Sequence, residues 1–156
     1  MNSIKYITSI SILLLLSLLL SASSLASDIQ KGMPKRIIEH GWFYHWGDLP
    51  KDPVSGVWQY ERNEWTQTPS PENIPGFKAG NIVWLKIDLP SKNWRDPYLF
   101  INSVDLTTQV YQNKQQIYHF GEIDDQGNSQ FKGWPWHTIR LPGDYDQHTL
   151  YFRIYS

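Results

Sequence analysis

The chain has 156 residues, with 14 Lys and Arg against 15 Asp and Glu, and it contains no cysteine. The near-neutral charge argues against nucleic-acid binding, which needs a concentrated basic field, and the missing thiols exclude disulfides, cysteine catalysis and thiolate-bound metals. Eight Trp, nine Tyr and six Phe provide enough apolar area for one domain to build its core by packing alone.

Residues 1–26 have the layout of a bacterial secretory signal peptide. Lys5 precedes an apolar run from Ile7 to Leu20, and small residues at Ser24 and Ala26 mark a cleavage site before Ser27. The run is shorter than the roughly 20 residues of a membrane-spanning helix, although an uncleaved N-terminal anchor remains the alternative. In both cases the sequence predicts a periplasmic or extracellular location. Residues 27–40 form a polar lead-in, in which only 35–40 has the pattern of a helical turn.

From residue 41 to 156 the chain alternates short apolar segments with turn residues, a pattern typical of β-strands. In residues 82–89, Val83, Leu85 and Ile87 share one face and Trp84 and Lys86 the other, while residues 66–80, with three prolines and two glycines, predict a loop. The predicted strands cover residues 42–46, 57–60, 82–89, 98–103, 107–112, 115–120, 137–141 and 149–155.

The fold class predicted from this pattern is all-β, an antiparallel β-sandwich or jelly roll in which each strand hides one face against a second sheet. Asn113 and Lys114 predict a two-residue hairpin turn between two of the strands, although Lys is a weaker second residue than Gly. A barrel is the less favoured alternative. The chain stops one residue after a strongly alternating strand, so we expect a domain truncated at its C-terminus.

No catalytic or metal-binding motif occurs in the sequence. The five histidines do not pair at metal-ligand spacing on one short element, and Glu61 with Glu64, or Glu122 with Asp124 and Asp125, are carboxylate pairs by proximity alone. Surface charge is the favoured interpretation of these acids. We therefore predict no enzymatic activity for this region, no cofactor and no metal.

Aromatic side chains are the strongest signal for ligand binding. Trp42, Tyr44 and Trp46 share one strand face and are interpreted mainly as core, whereas Trp134 and Trp136 flank Pro135 in a loop, where function is more often carried. Arg140 and Arg153 lie in apolar strands, where an Arg points to solvent or pairs with a carboxylate or a ligand oxygen. Solvent is the favoured interpretation, and Asp105 is a candidate partner. The candidate ligand-binding residues are Trp134, Trp136, His137, Arg140 and Asp105.

Four segments resemble one known family. They are residues 41–49 (GWFYHWGDL), 83–87 (VWLKI), the hairpin 110–118 (VYQNKQQIY) followed by Gly121, and 150–156 (LYFRIYS). Together they are similar to the extracellular galactose-binding-like jelly roll of bacterial seven-transmembrane receptors with diverse intracellular signalling modules. Lys114 departs from the family pattern, which usually has Gly there.

The resemblance implies a periplasmic sensor domain that binds a small molecule or carbohydrate. It also implies a missing C-terminal region with membrane helices and a cytoplasmic output such as a diguanylate cyclase or histidine kinase. The resemblance thus implies attachment to the membrane through that region, and an uncleaved N-terminal segment is the alternative attachment given above. The alternatives are a secreted carbohydrate-binding module, an accessory jelly roll of a glycoside hydrolase, and an interaction domain whose aromatic residues are all core.

Overall fold

The structure is a computed structural model that describes residues 35–62, 64–91, 94–101, 107–130, 133 and 135–155. The predicted signal peptide lies outside the described residues. The described residues from Ile38 onward belong to one compact unit. None of the described residues lies in a helix of the length and hydrophobicity that crossing a membrane requires.

The described part of this unit is built from antiparallel strands in two sheets. Six strands form a large sheet in the spatial order β2-β1-β3-β8-β5-β6, and β4 and β7 form a small sheet. The strands are β1 Trp42–Trp46, β2 Thr66–Thr68, β3 Ile82–Asp88, β4 Tyr98–Ile101, β5 Thr108–Gln112, β6 Gln115–Phe120, β7 His137–Arg140 and β8 Thr149–Tyr155. The predicted all-β, antiparallel architecture is confirmed, and the arrangement of the two sheets is consistent with a β-sandwich.

The main core lies between the two sheets, because the inner faces of β3 and β8 are continuous apolar surfaces. Val83, Leu85 and Ile87 alternate with outward residues along β3, as the sequence predicted, and Leu85 pairs directly with Phe152 of β8. Ile139 of β7 is buried in the same cluster. Every one of these side chains is less than a tenth exposed.

The large sheet is apolar on its second face as well. Trp84 of β3 is fully buried there, and Tyr111 of β5 lies beside it at 5.7 Å between ring centroids. The segment of residues 48–62 covers this face with Leu49, Trp58 and Tyr60. We call these five residues, Leu49, Trp58, Tyr60, Trp84 and Tyr111, the outer cluster. An apolar face on both sides of a sheet explains how a cysteine-free domain buries so many aromatic rings.

The predicted hairpin turn at Asn113 and Lys114 is confirmed. Gln112 of β5 pairs with Gln115 of β6, and the two residues between them have φ values of 49° and 65°. Positive φ at both central positions is the geometry of a type I′ turn, whose twist matches that of the flanking strands.

Three local predictions were wrong. Trp58 makes only an isolated bridge to Lys51, and a short 3₁₀ turn, Tyr60–Arg62, follows, so residues 57–60 are not a strand. The predicted loop after residue 65 begins with strand β2, which adds to the edge of the large sheet beside β1. Residues 35–40 form no helical turn. Each of these segments is short, so tertiary pairing overrides its local pattern.

Candidate functional site on the outer face of the small sheet

Three large aromatic side chains lie exposed on the outer face of the small sheet. Along β4, Leu99 and Ile101 pack against the core, whereas Tyr98 and Phe100 point outward and are 51% and 56% exposed. Trp136, which precedes β7, is 70% exposed. Its ring centroid lies 5.6 Å from that of Phe100, with the ring planes at 86°. The two rings therefore meet edge to face and leave ring surface open to solvent.

Polar side chains from β7 complete this surface. Thr138 is directly opposite Phe100 and Arg140 is directly opposite Tyr98 in the antiparallel register. Directly opposite residues point to the same side of a sheet, and both β7 residues are exposed. We call the following set the aromatic face: Tyr98, Phe100, Trp136, Thr138 and Arg140.

Arg140 is held at the rim of the aromatic face by Asp96. Its Nε donates a 2.9 Å hydrogen bond to Oδ1 of the carboxylate, and its Nη2 forms an ion pair with the same oxygen at 2.8 Å. Asp96 has a φ of 54°, a left-handed conformation that Asp tolerates better than most residues. Because exposed ion pairs contribute little to stability, this pair matters as a fixed polar group beside the aromatic rings.

His137 lies on the opposite, inner face of β7. It is 1% exposed, its Nδ1 is 2.7 Å from the Tyr118 hydroxyl, and its ring lies 5.2 Å from that of Phe120. Strand alternation places His137 and Ile139 inside and their neighbours outside. His137 therefore supports the small sheet from within and does not line the aromatic face.

Two predicted site residues, Trp134 and Asp105, lie outside the described residues. The carboxylate that pairs with Arg140 is Asp96, which the sequence reasoning missed together with Tyr98 and Phe100. The alternation of residues 98–101 (YLFI) was the available signal, since placing Leu99 inside requires Tyr98 and Phe100 outside. Trp136 and Arg140 are thus the predicted residues that the structure brings onto one surface.

The expectation that Arg153 points to solvent is wrong. It is 3% exposed in the outer cluster, where its Nε donates a 2.8 Å hydrogen bond to Oδ1 of Asp48 and its Nη2 donates to Oδ2. Its Nη1 donates to Oε1 of Gln109 at 3.1 Å, and Trp84 Nε1 donates to the same Asp48 carboxylate at 3.0 Å. The guanidinium also lies 4.9 Å from the centroid of the Trp58 ring. Arg153 is therefore a buried structural group that ties the covering segment to β8.

The aromatic residues of β1 are mostly packing residues. Trp42 is buried against Phe152 at 5.7 Å between ring centroids, and Tyr44 and Trp46 pack at the border of the main core. The interpretation of this strand as core is confirmed.

The opposite face of β1 and the outer cluster together form a largely apolar environment. Lys86 extends between the Phe43 and Trp65 rings, with its Nζ 5.1 and 4.8 Å from their centroids, and desolvation by burial lowers the pKa of Lys86. Desolvation likewise raises the pKa values of Tyr60 and Tyr111.

The carboxylates of the candidate pairs lie on the surface, as the interpretation of the sequence favoured. Glu61 in the 3₁₀ turn and Glu64 and Glu122 in loops are all exposed. Asp124 accepts hydrogen bonds of 2.7 Å from the Asn128 backbone N–H and 3.0 Å from its side chain, and these bonds lower the pKa of Asp124.

A shallow groove of about 260 Å³ beside the 3₁₀ turn is lined mainly by polar side chains, including Asp52. Among the described residues no group of His, Asp and Glu could hold a metal ion.

No family model, no curated protein and no solved structure matches this chain.

Proposed function

We propose that this chain is an exported carbohydrate-binding domain and that it holds a sugar ring against the aromatic face. The observation that carries the proposal is the exposure of three neighbouring aromatic side chains, Tyr98, Phe100 and Trp136, on one outer sheet face. Contiguous exposed apolar surface with a polar rim is typical of an interaction site, because leaving it in water costs free energy.

A sugar fits the chemistry of this surface. The C–H faces of a pyranose ring are apolar and its edges carry hydroxyl groups, so the ring can cover Trp136 or Phe100 while its edge meets polar side chains. Thr138 and the Asp96–Arg140 pair supply hydrogen-bonding groups beside the aromatic rings. Residues two apart on a strand are separated by about 7 Å, so Tyr98 and Phe100 offer a surface extended enough for more than one sugar unit.

The first experiment measures sugar binding of the full chain by affinity electrophoresis in gels that contain soluble neutral polysaccharides. Trp136→Ala and Phe100→Ala are each expected to weaken binding about tenfold or more, since each removes apolar area that the sugar would cover. The matched control is Phe77→Ala, which removes another exposed Phe, 64% accessible and 6.5 Å from the Trp46 ring centroid, away from the aromatic face.

Retention of binding by Phe77→Ala and its loss in the two other variants would support the proposal. Equal effects of all three substitutions, or no retardation of the unaltered chain by any polysaccharide, would contradict it.

The jelly-roll and galactose-binding-like class, the signal peptide and the role as a receptor sensor are proposed from the sequence resemblance. The favoured biological setting is the periplasmic sensor domain of a membrane receptor, and the alternative is a secreted carbohydrate-binding module or an accessory domain of a glycoside hydrolase. We expect the coding sequence beyond codon 156 to encode several apolar runs of about 20 residues, followed by a signalling enzyme. A stop codon at that point would contradict the receptor role and favour the secreted module.

A further inference from the structure

The Asp96–Arg140 pair leaves a hydrogen-bond donor and an acceptor beside the aromatic face. Nε of Arg140 donates to Oδ1 of Asp96, and Nη2 lies 2.8 Å from the same oxygen. No described residue forms a hydrogen bond with Oδ2 of Asp96 or Nη1 of Arg140. The two side chains are 52% and 71% exposed, so a ligand on the aromatic face can reach both atoms. The pair therefore offers one acceptor that is negatively charged and one donor that is positively charged.

We propose that the aromatic face selects an uncharged sugar and recognises two of its adjacent hydroxyl groups through this pair; the inference rests on the proposed function above. One hydroxyl donates a hydrogen bond to Oδ2 of Asp96, and the oxygen of its neighbour accepts one from Nη1 of Arg140. Bonds to charged partners are stronger than neutral ones, which gives the pair a role in both affinity and orientation.

The same pair disfavours acidic sugars. An unpaired arginine would be a natural partner for the carboxylate of a uronic acid, because a guanidinium binds carboxylates through two parallel bonds. Here Asp96 already occupies Nε and Nη2 of Arg140 and neutralises its charge. A uronate would have to displace Asp96, which gives up the contacts of Asp96 with Arg140, or place its carboxylate next to Oδ2, where the two carboxylates repel each other.

The test is an NMR titration of the full chain with matched ligands. The probes are the methyl glycosides of glucose, galactose and mannose and the corresponding methyl uronides, followed by the side-chain N–H signals of Trp136 and Arg140. We expect at least one neutral glycoside to shift these signals and to bind about tenfold or more tightly than its own uronide.

Asp96→Asn tests whether Asp96 both strengthens binding of the neutral glycoside and disfavours the uronide. Asn tolerates the left-handed backbone at this position, so the fold should be retained, while the charged acceptor is lost and Arg140 is released. Binding of the neutral glycoside is expected to weaken about tenfold, and binding of the uronide to strengthen. The matched control is Asp144→Asn, an exposed acid beside His148 at 3.9 Å, which should change neither. Arg140→Met provides a second variant that should weaken the neutral glycoside without a gain for the uronide.

The outcomes distinguish this inference from the proposed function. Neutral binding that depends on Trp136 but is unaffected by Asp96→Asn and Arg140→Met would overturn the hydroxyl-recognition inference and leave carbohydrate binding standing. A uronide that binds as tightly as its neutral counterpart would have the same consequence. No response of the aromatic face to any glycoside would overturn both.

Discussion

Two arginines, one in each sheet, show how burial decides the role of a charged residue. Arg140 of β7 and Arg153 of β8 each contact one carboxylate through Nε and Nη2. The side chain of Arg140 is 71% exposed and that of Arg153 is 4% exposed. The first pair is available to a ligand, whereas in the second the guanidinium is enclosed by protein groups and holds the covering segment in place through Asp48.

Arg153→Met and Arg140→Met are therefore expected to differ in their effect on stability. Arg153→Met removes a buried guanidinium together with its hydrogen bonds to Asp48 and Gln109, which should lower the free energy of unfolding by about 2 kcal/mol or more. Arg140→Met breaks an exposed pair and should cost less than about 1 kcal/mol. Urea denaturation followed by far-UV circular dichroism measures both. Equal losses would contradict the structural role assigned to Arg153.

At the scale of the element, most strands could be predicted because alternation and turn chemistry act locally. The period of two in β3 and β8 placed the correct side chains on each face, and Asn113 with Lys114 marked the hairpin. The same alternation rule, applied to β4, places Tyr98 and Phe100 on one face of the strand. It did not reveal that these two side chains are exposed, since alternation shows which residues share a face and not which face is covered.

Other features depend on contacts between distant parts of the chain and had no local signal. Asp48 and Arg153 are 105 positions apart, so spacing could not reveal that they pair. Strand β2 is three residues long and exists because it adds to the edge of β1. The burial of Trp58 against Trp84 likewise follows from the second apolar face of the large sheet, which becomes evident only after the strands are assembled.

At the scale of the whole molecule, the domain rests on two apolar layers instead of one. The main core lies between the sheets, and the outer cluster lies between the large sheet and the segment of residues 48–62. Trp58 is central to the second layer, because its ring lies 5.1 Å from that of Trp84 and is approached by the cations of Lys51 and Arg153 at 4.4 and 4.9 Å. Because the chain has no cysteine and therefore no disulfides, burial of apolar area in the second layer is an additional source of stability for the folded state.

Trp58→Ala tests whether the second layer stabilises the fold. Trp58 is 8% exposed, so its removal should leave a cavity and lower the free energy of unfolding by about 3–5 kcal/mol. Trp136→Ala is the matched control, because the same truncation at a 70% exposed position should change stability by less than about 0.5 kcal/mol. Urea denaturation of both variants followed by far-UV circular dichroism gives the comparison. A loss below about 1 kcal/mol for Trp58→Ala would mean that residues 48–62 lie on the sheet without holding it together, since a buried Trp in a stabilising layer costs several times more to remove.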